Sequence, residues 1–183
     1  MKTSKLLFTL LMLGAIGTMV GCWGGSAKSP DVSDNIRKAL EQGGLKEVTV
    51  SQDRDKGIVT LGGQVETEND KAQAESLAKS LANGQVVADQ IAIIPRGHGV
   101  EAQAVNADLD QGIEKNLDAA LIQNRMHDYV NYQVKNGVVT LTGDVNSEHR
   151  RKAAEQVAST VPNVKQVVNA LQVVKHRKAS SAE

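Results

Sequence analysis

The chain has 183 residues, with 21 lysines and arginines, 21 aspartates and glutamates, and no formal net charge at neutral pH. That length allows one ordinary domain or two small ones. Zero net charge argues against nucleic acid as a partner, because nucleic-acid binders attract phosphate through a basic surface. Aromatic residues make up 2% of the chain, too few for base-stacking platforms. A single cysteine excludes both an internal disulfide and a cysteine-rich zinc cluster.

An apolar segment opens the chain. Lys2 and Lys5 come before an uncharged, mostly apolar run from Leu6 to Val20. The run is too short to span a bilayer, which takes about 20 helical residues. A basic start followed by a short apolar core is typical of a secretory signal that is removed from the mature protein. We therefore predict a signal peptide at residues 1–21.

The predicted signal ends beside the single cysteine, Cys22. The sequence Met19-Val-Gly-Cys22 resembles the lipobox of bacterial lipoproteins, in which the cysteine is acylated and becomes the new N-terminus. Trp23 stands where lipoproteins kept at the inner membrane typically carry Asp, so the resemblance implies the periplasmic face of the outer membrane. A buried structural cysteine or an ordinary cleaved signal are the alternatives. We predict lipid attachment (palmitate) at Cys22, with a tether at residues 22–30.

The rest of the chain contains one unit twice. Residues 57–94 and 137–174 align without a gap and are identical at 12 of 38 positions. The shared segment begins as Gly57-Ile-Val-Thr-Leu-Gly-Gly-Gln-Val65 and recurs as Gly137-Val-Val-Thr-Leu-Thr-Gly-Asp-Val145. Upstream, Ile36 to Leu40 aligns with Ile113 to Leu117, which implies three extra residues between the first helix and first strand of the second unit. Such a duplication predicts two similar domains.

Each unit predicts the order αββαβ. The first helix of each has apolar residues on one face, and the first strand alternates apolar and polar residues. Lys56-Gly57 and Asn136-Gly137 predict tight turns into the second strand. Gly63 and Gly143 recur at one point of that strand, where a glycine often marks a bulge or a close backbone approach. The apolar positions of the two first helices are Val32, Ile36, Ala39 and Leu40, and Leu109, Ile113, Leu117 and Leu121.

The predicted fold class is α+β, with two tandem αββαβ domains, each a three-stranded sheet with both helices on one face. Domain 1 covers residues 31–95 and domain 2 covers residues 107–175. Residues 96–106 read as a linker because they contain glycine and follow Pro95. Residues 176–183 read as a disordered tail.

The repeated Gly-x-Val-x-Leu-x-Gly-x-Val strand, together with the αββαβ order, resembles the BON domain (bacterial OsmY and nodulation). A lipobox followed by two such domains is similar to dual-BON outer-membrane lipoproteins of the DolP (YraP) type, whereas soluble periplasmic proteins of the OsmY type lack the acylated cysteine. The resemblance implies a non-enzymatic module that associates with membrane phospholipid and supports envelope integrity under stress. In the DolP type, the first helix of the second domain is implicated in contact with anionic phospholipid.

The corresponding helix of this chain departs from that pattern. Asn106 to Ile113 contains no aromatic residue and includes two acidic ones, Asp108 and Asp110. Anionic headgroups repel acidic residues, so we expect this helix not to make the lipid contact. The aromatic residues of the two units are Tyr129 and Tyr132. They lie three positions apart in a predicted strand, and we expect one to be buried and the other exposed.

A basic group opens the second helix of domain 2, at His149, Arg150, Arg151 and Lys152. Helix N-termini favour negative charge, so a basic run there is locally unfavourable and suggests a function. Each such charge near an anionic membrane contributes about 1 kcal/mol. We predict that these four residues contact lipid headgroups. The alternative is an ordinary solvated helix face.

No pattern indicates catalysis, a metal site or a cofactor. No two of the four histidines have ligand spacing, and a metal site needs several converging ligands. The chain lacks a Gly-x-Ser-x-Gly elbow, a phosphate-binding glycine loop and a His-Glu-x-x-His motif. The sequence therefore predicts a non-enzymatic, lipid-anchored envelope protein whose partner is membrane phospholipid. Alternatives are an adaptor for an envelope protein partner and a soluble OsmY-like stress protein.

Overall fold

The computed structural model describes residues 28–174. The predicted signal peptide, Cys22 and the predicted tail fall outside the described residues. The described part contains four helices and nine strands. In chain order they are α1 (Ser33–Gln42), β1 (Val48–Asp53), β2 (Ile58–Val65), α2 (Glu68–Leu81), β3 (Val86–Asp89), β4 (Ala92–Ile93), α3 (Gly99–Gln123), β5 (Asn131–Lys135), β6 (Val138–Thr142), β7 (Asp144–Val145), α4 (Glu148–Ser159), β8 (Gln166–Asn169) and β9 (Gln172–Val173). None of these helices is long and apolar enough to cross a membrane.

The two units have the same sheet topology, and the predicted αββαβ order is confirmed. In the first unit, β2 pairs antiparallel with β1 and parallel with β3. In the second unit, β6 pairs in the same way with β5 and β8. The predicted last strand of each unit consists of two short strands. In the first unit β3 and then β4 pair with β2. In the second unit β8 pairs with β6, and β9 pairs with β7.

A separate core fills each unit between its helices and one face of its sheet. In the first unit, Ile36 and Leu40 of α1 and Ala74 and Ala78 of α2 pack against Leu61 of β2. The second unit repeats this arrangement with Leu117, Leu121, Ala154, Ala158 and Leu141. Alanine on α2 and α4 lets those helices lie close to the sheet. Both helices of each unit therefore cover one face, as the sequence predicts.

The break in the last strand has a specific side-chain cause. Asp89 Oδ1 accepts a hydrogen bond from the Ile91 N–H at 3.2 Å, and Asn169 Oδ1 accepts one from the Leu171 N–H at 3.3 Å. In each unit this side-chain hydrogen bond lies where the strand is interrupted, between β3 and β4 in the first unit and between β8 and β9 in the second. Period-two patterning does not distinguish such a broken strand from a continuous one.

The two hairpins differ in length. Lys135 pairs directly with Val138, so the turn is Asn136-Gly137, with φ of 51° and 81°. Positive φ at both central positions is the geometry that an Asn-Gly pair predicts. In the first unit, Asp53 pairs with Ile58, so four residues form the loop where a tight turn was predicted.

The structure corrects the alignment of the first helices by one turn. The Leu45 N–H donates to the Leu40 carbonyl, and the Met126 N–H donates to the Leu121 carbonyl, so Leu121 is the counterpart of Leu40. The sequence alignment had assigned Leu117 to that position. A shift of four residues is close to one helical turn and preserves the apolar pattern. The sequence alignment implied three extra residues between the first helix and first strand of the second unit. The structure shows one extra residue in that segment, and the hairpin loop of the second unit is two residues shorter than that of the first.

Helix α3 also corrects the predicted linker. It begins at Gly99, so most of residues 96–106 is helical and continuous with the first helix of domain 2. The predicted tether is shortened as well: the Ser29 N–H donates to the Arg54 carbonyl at 2.9 Å, and Lys28 forms an ion pair with Asp55 at 3.3 Å. Residues 28–30 therefore lie on the first unit.

The units pack together through the sheet faces that carry no helix. A third apolar cluster is built from equivalent positions of the two units, and its members are Ile58, Ala88, Val138, Val168 and Ala170. Polar contacts flank it. Gln166 bonds to the main chain of β3, and Asn136 Nδ2 donates to the Gln90 carbonyl at 2.7 Å. The two units are therefore docked against each other.

Candidate membrane-contact site

The basic group lies on the first turn of α4, where Ser147 caps the helix. The Arg150 N–H donates to Ser147 Oγ at 3.3 Å. The same position in the first unit is Thr67, whose Oγ1 accepts from the Asp70 N–H. Side-chain capping satisfies an N–H group that the helix leaves unpaired. The cap therefore fixes where the helix starts and hence where the four basic residues lie.

The four predicted residues do not share one environment. His149, Arg150 and Lys152 are exposed, whereas Arg151 is half-buried. Arg151 Nε forms an ion pair with Glu148 Oε2 at 2.8 Å, and the Arg151 carbonyl accepts from Asn169 Nδ2 at 2.9 Å. Arg151 thus helps to hold α4 on its sheet, and the outward positive charge comes from Arg150 and Lys152.

Arg150 brings an aromatic residue into the site. Its guanidinium carbon lies 5.1 Å from the centre of the Tyr129 ring, within the range of a cation–π interaction. The expectation that one tyrosine is buried and the other exposed is wrong. Tyr129 lies before β5, and both it and Tyr132 are half-buried against the second core. Burial raises the pKa of Tyr132, and nearby Asp118 raises it further.

The glycine that recurs in the second strand positions Tyr129. Gly143 has φ of +123°, and a Cβ at this residue would overlap the Tyr129 carbonyl oxygen. In the first unit, a Cβ at Gly63 would overlap the Glu47 carbonyl oxygen in the same way. The close backbone approach expected of these two glycines is therefore present. The pairing of Tyr129 with Arg150 was missed because it joins residues that lie far apart in the sequence.

One of the two acidic residues in the first half of α3, Asp110, is hydrogen-bonded within the protein. The Asp110 carboxylate accepts from the Asn136 N–H at 2.7 Å and from the Gly137 N–H at 2.8 Å. It therefore caps the β5–β6 turn instead of facing solvent. Leu109, expected on the buried face of this helix, is 44% exposed. It precedes the three buried residues of α3, which are Ile113, Leu117 and Leu121.

A polar set shared by the two units was not recognised from the sequence. Lys71 and Asp89 of the first unit correspond to Arg151 and Asn169 of the second. Lys71 Nζ lies 3.7 Å from Asp89 Oδ1 and donates to the Ile91 carbonyl at 2.8 Å. Burial raises the pKa of Asp89, and the Lys71 charge opposes that shift. Lys71 and Arg151 lie 80 residues apart, as do Asp89 and Asn169, and this repeat spacing was the available signal. The counterparts are similar residue types rather than identical ones, so the match was not recognised.

The contacts of Lys71 and Asp89, and of Arg151 and Asn169, lie at the break in the last strand of each unit and do not form a metal site. Within residues 28–174, no group of three or more His, Cys, Asp or Glu side chains is placed to hold a metal ion. His127 Nε2 lies 3.1 Å from Asp118 Oδ1, which also accepts from the Tyr132 hydroxyl at 3.4 Å. The geometry of the candidate site thus suits surface contact through cations and one aromatic ring.

Comparisons with known proteins agree with this two-unit architecture. A family model described as BON domain matches residues 29–95 and 109–175. The chain is 29% identical over 142 residues to Osmotically-inducible protein Y of Escherichia coli (strain K12), and the match covers 76% of this chain and 70% of that protein.

Solved structures give a more distant likeness. Two structures of CdsD, a structural protein of the type III secretion system of Chlamydia trachomatis, match with TM-scores of 0.32 and 0.33 at 16% and 18% identity. The matches cover 78% and 79% of this chain but only 65% and 62% of those chains, less than two thirds of their length. That likeness is too low to bear on function. The family match, by contrast, covers most of both units, and the chain therefore belongs to the BON domain family, with one copy of the domain in each unit.

Proposed function

We propose that this protein is a non-enzymatic, lipid-anchored component of the cell envelope that contacts the phospholipid surface and supports envelope integrity under stress. The anchor is Cys22, acylated after removal of residues 1–21, at the periplasmic face of the outer membrane. Osmotic stress is the condition we propose, because the relative in Escherichia coli is named for osmotic induction.

One observation carries the surface contact: an exposed cation stacked on an aromatic ring at the start of α4. Arg150 lies over Tyr129, and His149 and Lys152 are exposed beside it. Tyrosine suits a membrane interface because its ring is apolar and its hydroxyl is polar. Basic side chains add attraction to anionic headgroups. Because the acyl chains keep the protein near the bilayer, a weak contact at this site is sufficient.

The anchor is tested by intact mass and membrane fractionation of the wild-type protein against Cys22→Ala. We expect a triacyl mass increment and pelleting with the outer membrane, both lost in the variant. An unmodified wild-type protein in the soluble periplasmic fraction would contradict the anchor and favour an OsmY-like soluble protein.

The surface contact is tested on a chain without residues 1–22, so that acyl chains do not dominate binding. Sedimentation with phosphatidylglycerol vesicles compares this chain with its Arg150→Ala/Lys152→Ala variant. Two charges at about 1 kcal/mol each predict binding that is weaker by about 30-fold. The matched control is Lys38→Ala/Lys46→Ala, which removes two exposed charges from the first unit. Equal losses in both variants would show a general charge effect and contradict a site on α4.

The second candidate is an adaptor that binds an envelope protein by adding a partner strand to a sheet edge. The edges of β3 and β8 face the interface between the units, whereas β1 and β5 are the outer strands. A partner strand would therefore pair with β1 or β5. Partner binding that persists in Cys22→Ala and is lost when proline replaces Val134 would favour this candidate.

A further inference from the structure

A cavity of 290 Å³ lies between α3, the β5–β6 turn and the loop that precedes β8. Leu109, Ile113 and Val164 supply apolar walls, and Asn163 and Lys165 add polar groups. The cavity is in the second unit and does not include the basic group at the start of α4. Its wall contains Leu109, one of four large apolar residues of α3 that are exposed. The other three, Val100, Val105 and Ile122, do not line the cavity.

The first unit has the two equivalent loops, although its hairpin loop is two residues longer, and part of its own chain covers them. Gly57 and Gln85 take the positions that Gly137 and Lys165 take in the second unit. Gln85 Nε2 donates to the Pro30 carbonyl at 3.0 Å. The hydroxyl of Ser29 lies so close to Gly57 that a Cβ there would be 3.0 Å from it. An extended segment containing Ser29 and Pro30 therefore occupies this location.

The second unit reaches the same location with a helix. Asp110 of α3 contacts the β5–β6 turn through its side chain, whereas Ser29 contacts the first hairpin through its main chain. A helix keeps its main chain within a radius of about 2.3 Å, inside an overall diameter of about 10–12 Å. The helical backbone therefore stays farther from the turn than an extended chain does, and this leaves a gap.

The charges at the cavity favour a ligand that presents an acceptor oxygen. The carboxylate of Asp110 is already bound by two main-chain N–H groups. Lys165 is exposed and stands where Gln85 donates to a carbonyl oxygen. Its aliphatic stem lies against Gly137, as the Ser29 hydroxyl lies against Gly57 in the first unit. The apolar side chains of Leu109 and Val164 line the same cavity.

We propose that this cavity binds an extended peptide segment of a partner protein. A compact apolar residue such as proline packs against Leu109 and Val164, and the adjacent carbonyl or carboxylate oxygen faces Lys165. The contact with Lys165 would repeat in trans the hydrogen bond that the Pro30 carbonyl accepts from Gln85 in cis. It depends neither on acylation of Cys22 nor on the residues of α4.

The test uses purified, isotope-labelled full-length protein and a synthetic peptide with the sequence of residues 28–32, followed by amide chemical shifts. We expect saturable shifts at Gly137, Val164 and Lys165. Leu109→Trp fills the cavity from an already exposed position and should abolish those shifts. Val100→Trp is the matched control: Val100 lies on the same helix, outside the cavity, is 80% exposed, and its variant should bind as the wild type does.

Three results would overturn the proposal. The first is the absence of shifts at millimolar peptide, or equal shifts in Leu109→Trp. The second is a response at Gly57 and Gln85 instead, which would mean that the peptide displaces the protein's own segment. The third is that phosphatidylglycerol vesicles, or increased protein concentration alone, perturb the cavity while the peptide does not, which would identify lipid or a second copy as the occupant.

Discussion

Gln166 Nε2 donates a hydrogen bond to the main-chain carbonyl of Val87 at 2.8 Å. The amide oxygen of the same side chain accepts from the Asp89 N–H at 3.0 Å. One glutamine of the second unit thus pairs with the edge of β3 as a neighbouring strand would. The reverse contact is not possible, because the counterpart of Gln166 is Val86, whose side chain has no donor or acceptor.

Gln166→Ala should weaken the docking of the two units. It leaves a carbonyl and an N–H of β3 without partners at a partly buried interface, at a cost of about 1–3 kcal/mol. Urea unfolding measures the loss, with Gln133→Ala on exposed β5 as the control. Unchanged stability in Gln166→Ala would mean that water replaces the amide without cost.

Gly143→Ala should destabilise the second unit by more than about 2 kcal/mol, because its φ is unfavourable for alanine and the new Cβ overlaps the Tyr129 carbonyl. Thermal unfolding measures the effect. Gly112→Ala is the matched control, since it lies within α3, where an added Cβ would have open space around it, and should stabilise by up to about 1 kcal/mol. Similar behaviour of the two variants would contradict the close approach at Gly143.

Asp110→Ala should destabilise the β5–β6 turn by about 1–3 kcal/mol, because two N–H groups lose their acceptor. Hydrogen exchange of the Asn136 and Gly137 amides should accelerate. The matched control is Asp108→Ala, which removes an exposed carboxylate from the same helix. Equal exchange rates in the two variants would show that Asp110 does not cap the turn.

Asp89→Asn should raise stability at neutral pH. Burial raises the pKa of Asp89 above its ordinary value of 3.8, so the folded state favours the protonated form. The associated stability is present below the unfolded pKa and is lost as pH rises through the folded pKa. Asparagine avoids that loss and keeps the acceptor for Ile91, as Asn169 does for Leu171.

Urea unfolding from pH 3.5 to pH 7.5 tests this dependence on Asp89. The variant and the wild type should converge at low pH and separate as pH rises. Asp53→Asn is the opposite control, because a hydrogen bond from Lys56 lowers the pKa of Asp53. Its contribution is present above the unfolded pKa and is lost as pH falls through the folded pKa. An Asp89→Asn variant that is less stable than the wild type at pH 7.5 would show that the Lys71 pair outweighs burial.

The repeat and its strand pattern were enough to predict the fold of each unit. Asn136-Gly137 predicted its turn, and Gly63 and Gly143 predicted close backbone approach, because each motif has a specific local geometry. The register of the first helix was not predictable in the same way. A helix that is shifted by one turn presents the same apolar face, and only the contacts after Leu40 and Leu121 distinguish the two alignments.

The arrangement of side chains at the start of α4 was predictable only in part, for a related reason. The basic residues of α4 are adjacent in the sequence, so their location was visible, but their environments depend on distant partners. Arg150 stacks on Tyr129, whereas Arg151 pairs with Glu148. Units this small are expected to pack on each other or on a partner, but the faces that meet were not predictable, because Ile58 and Val138 have the pattern of ordinary strand residues.

Helix α3 has a mechanical consequence for an acylated protein. It runs for 25 residues, about 38 Å, and five residues separate it from β4, so it belongs to a pair of units that are docked through the cluster of Ile58, Ala88, Val138, Val168 and Ala170. Lys28, which already contacts the first unit, lies six positions after Cys22, and six positions span about 20 Å when extended. In an acylated protein, both domains would then rotate together about the short segment between Cys22 and Lys28. A tilt of the first domain would therefore change the distance of the second domain from the bilayer surface.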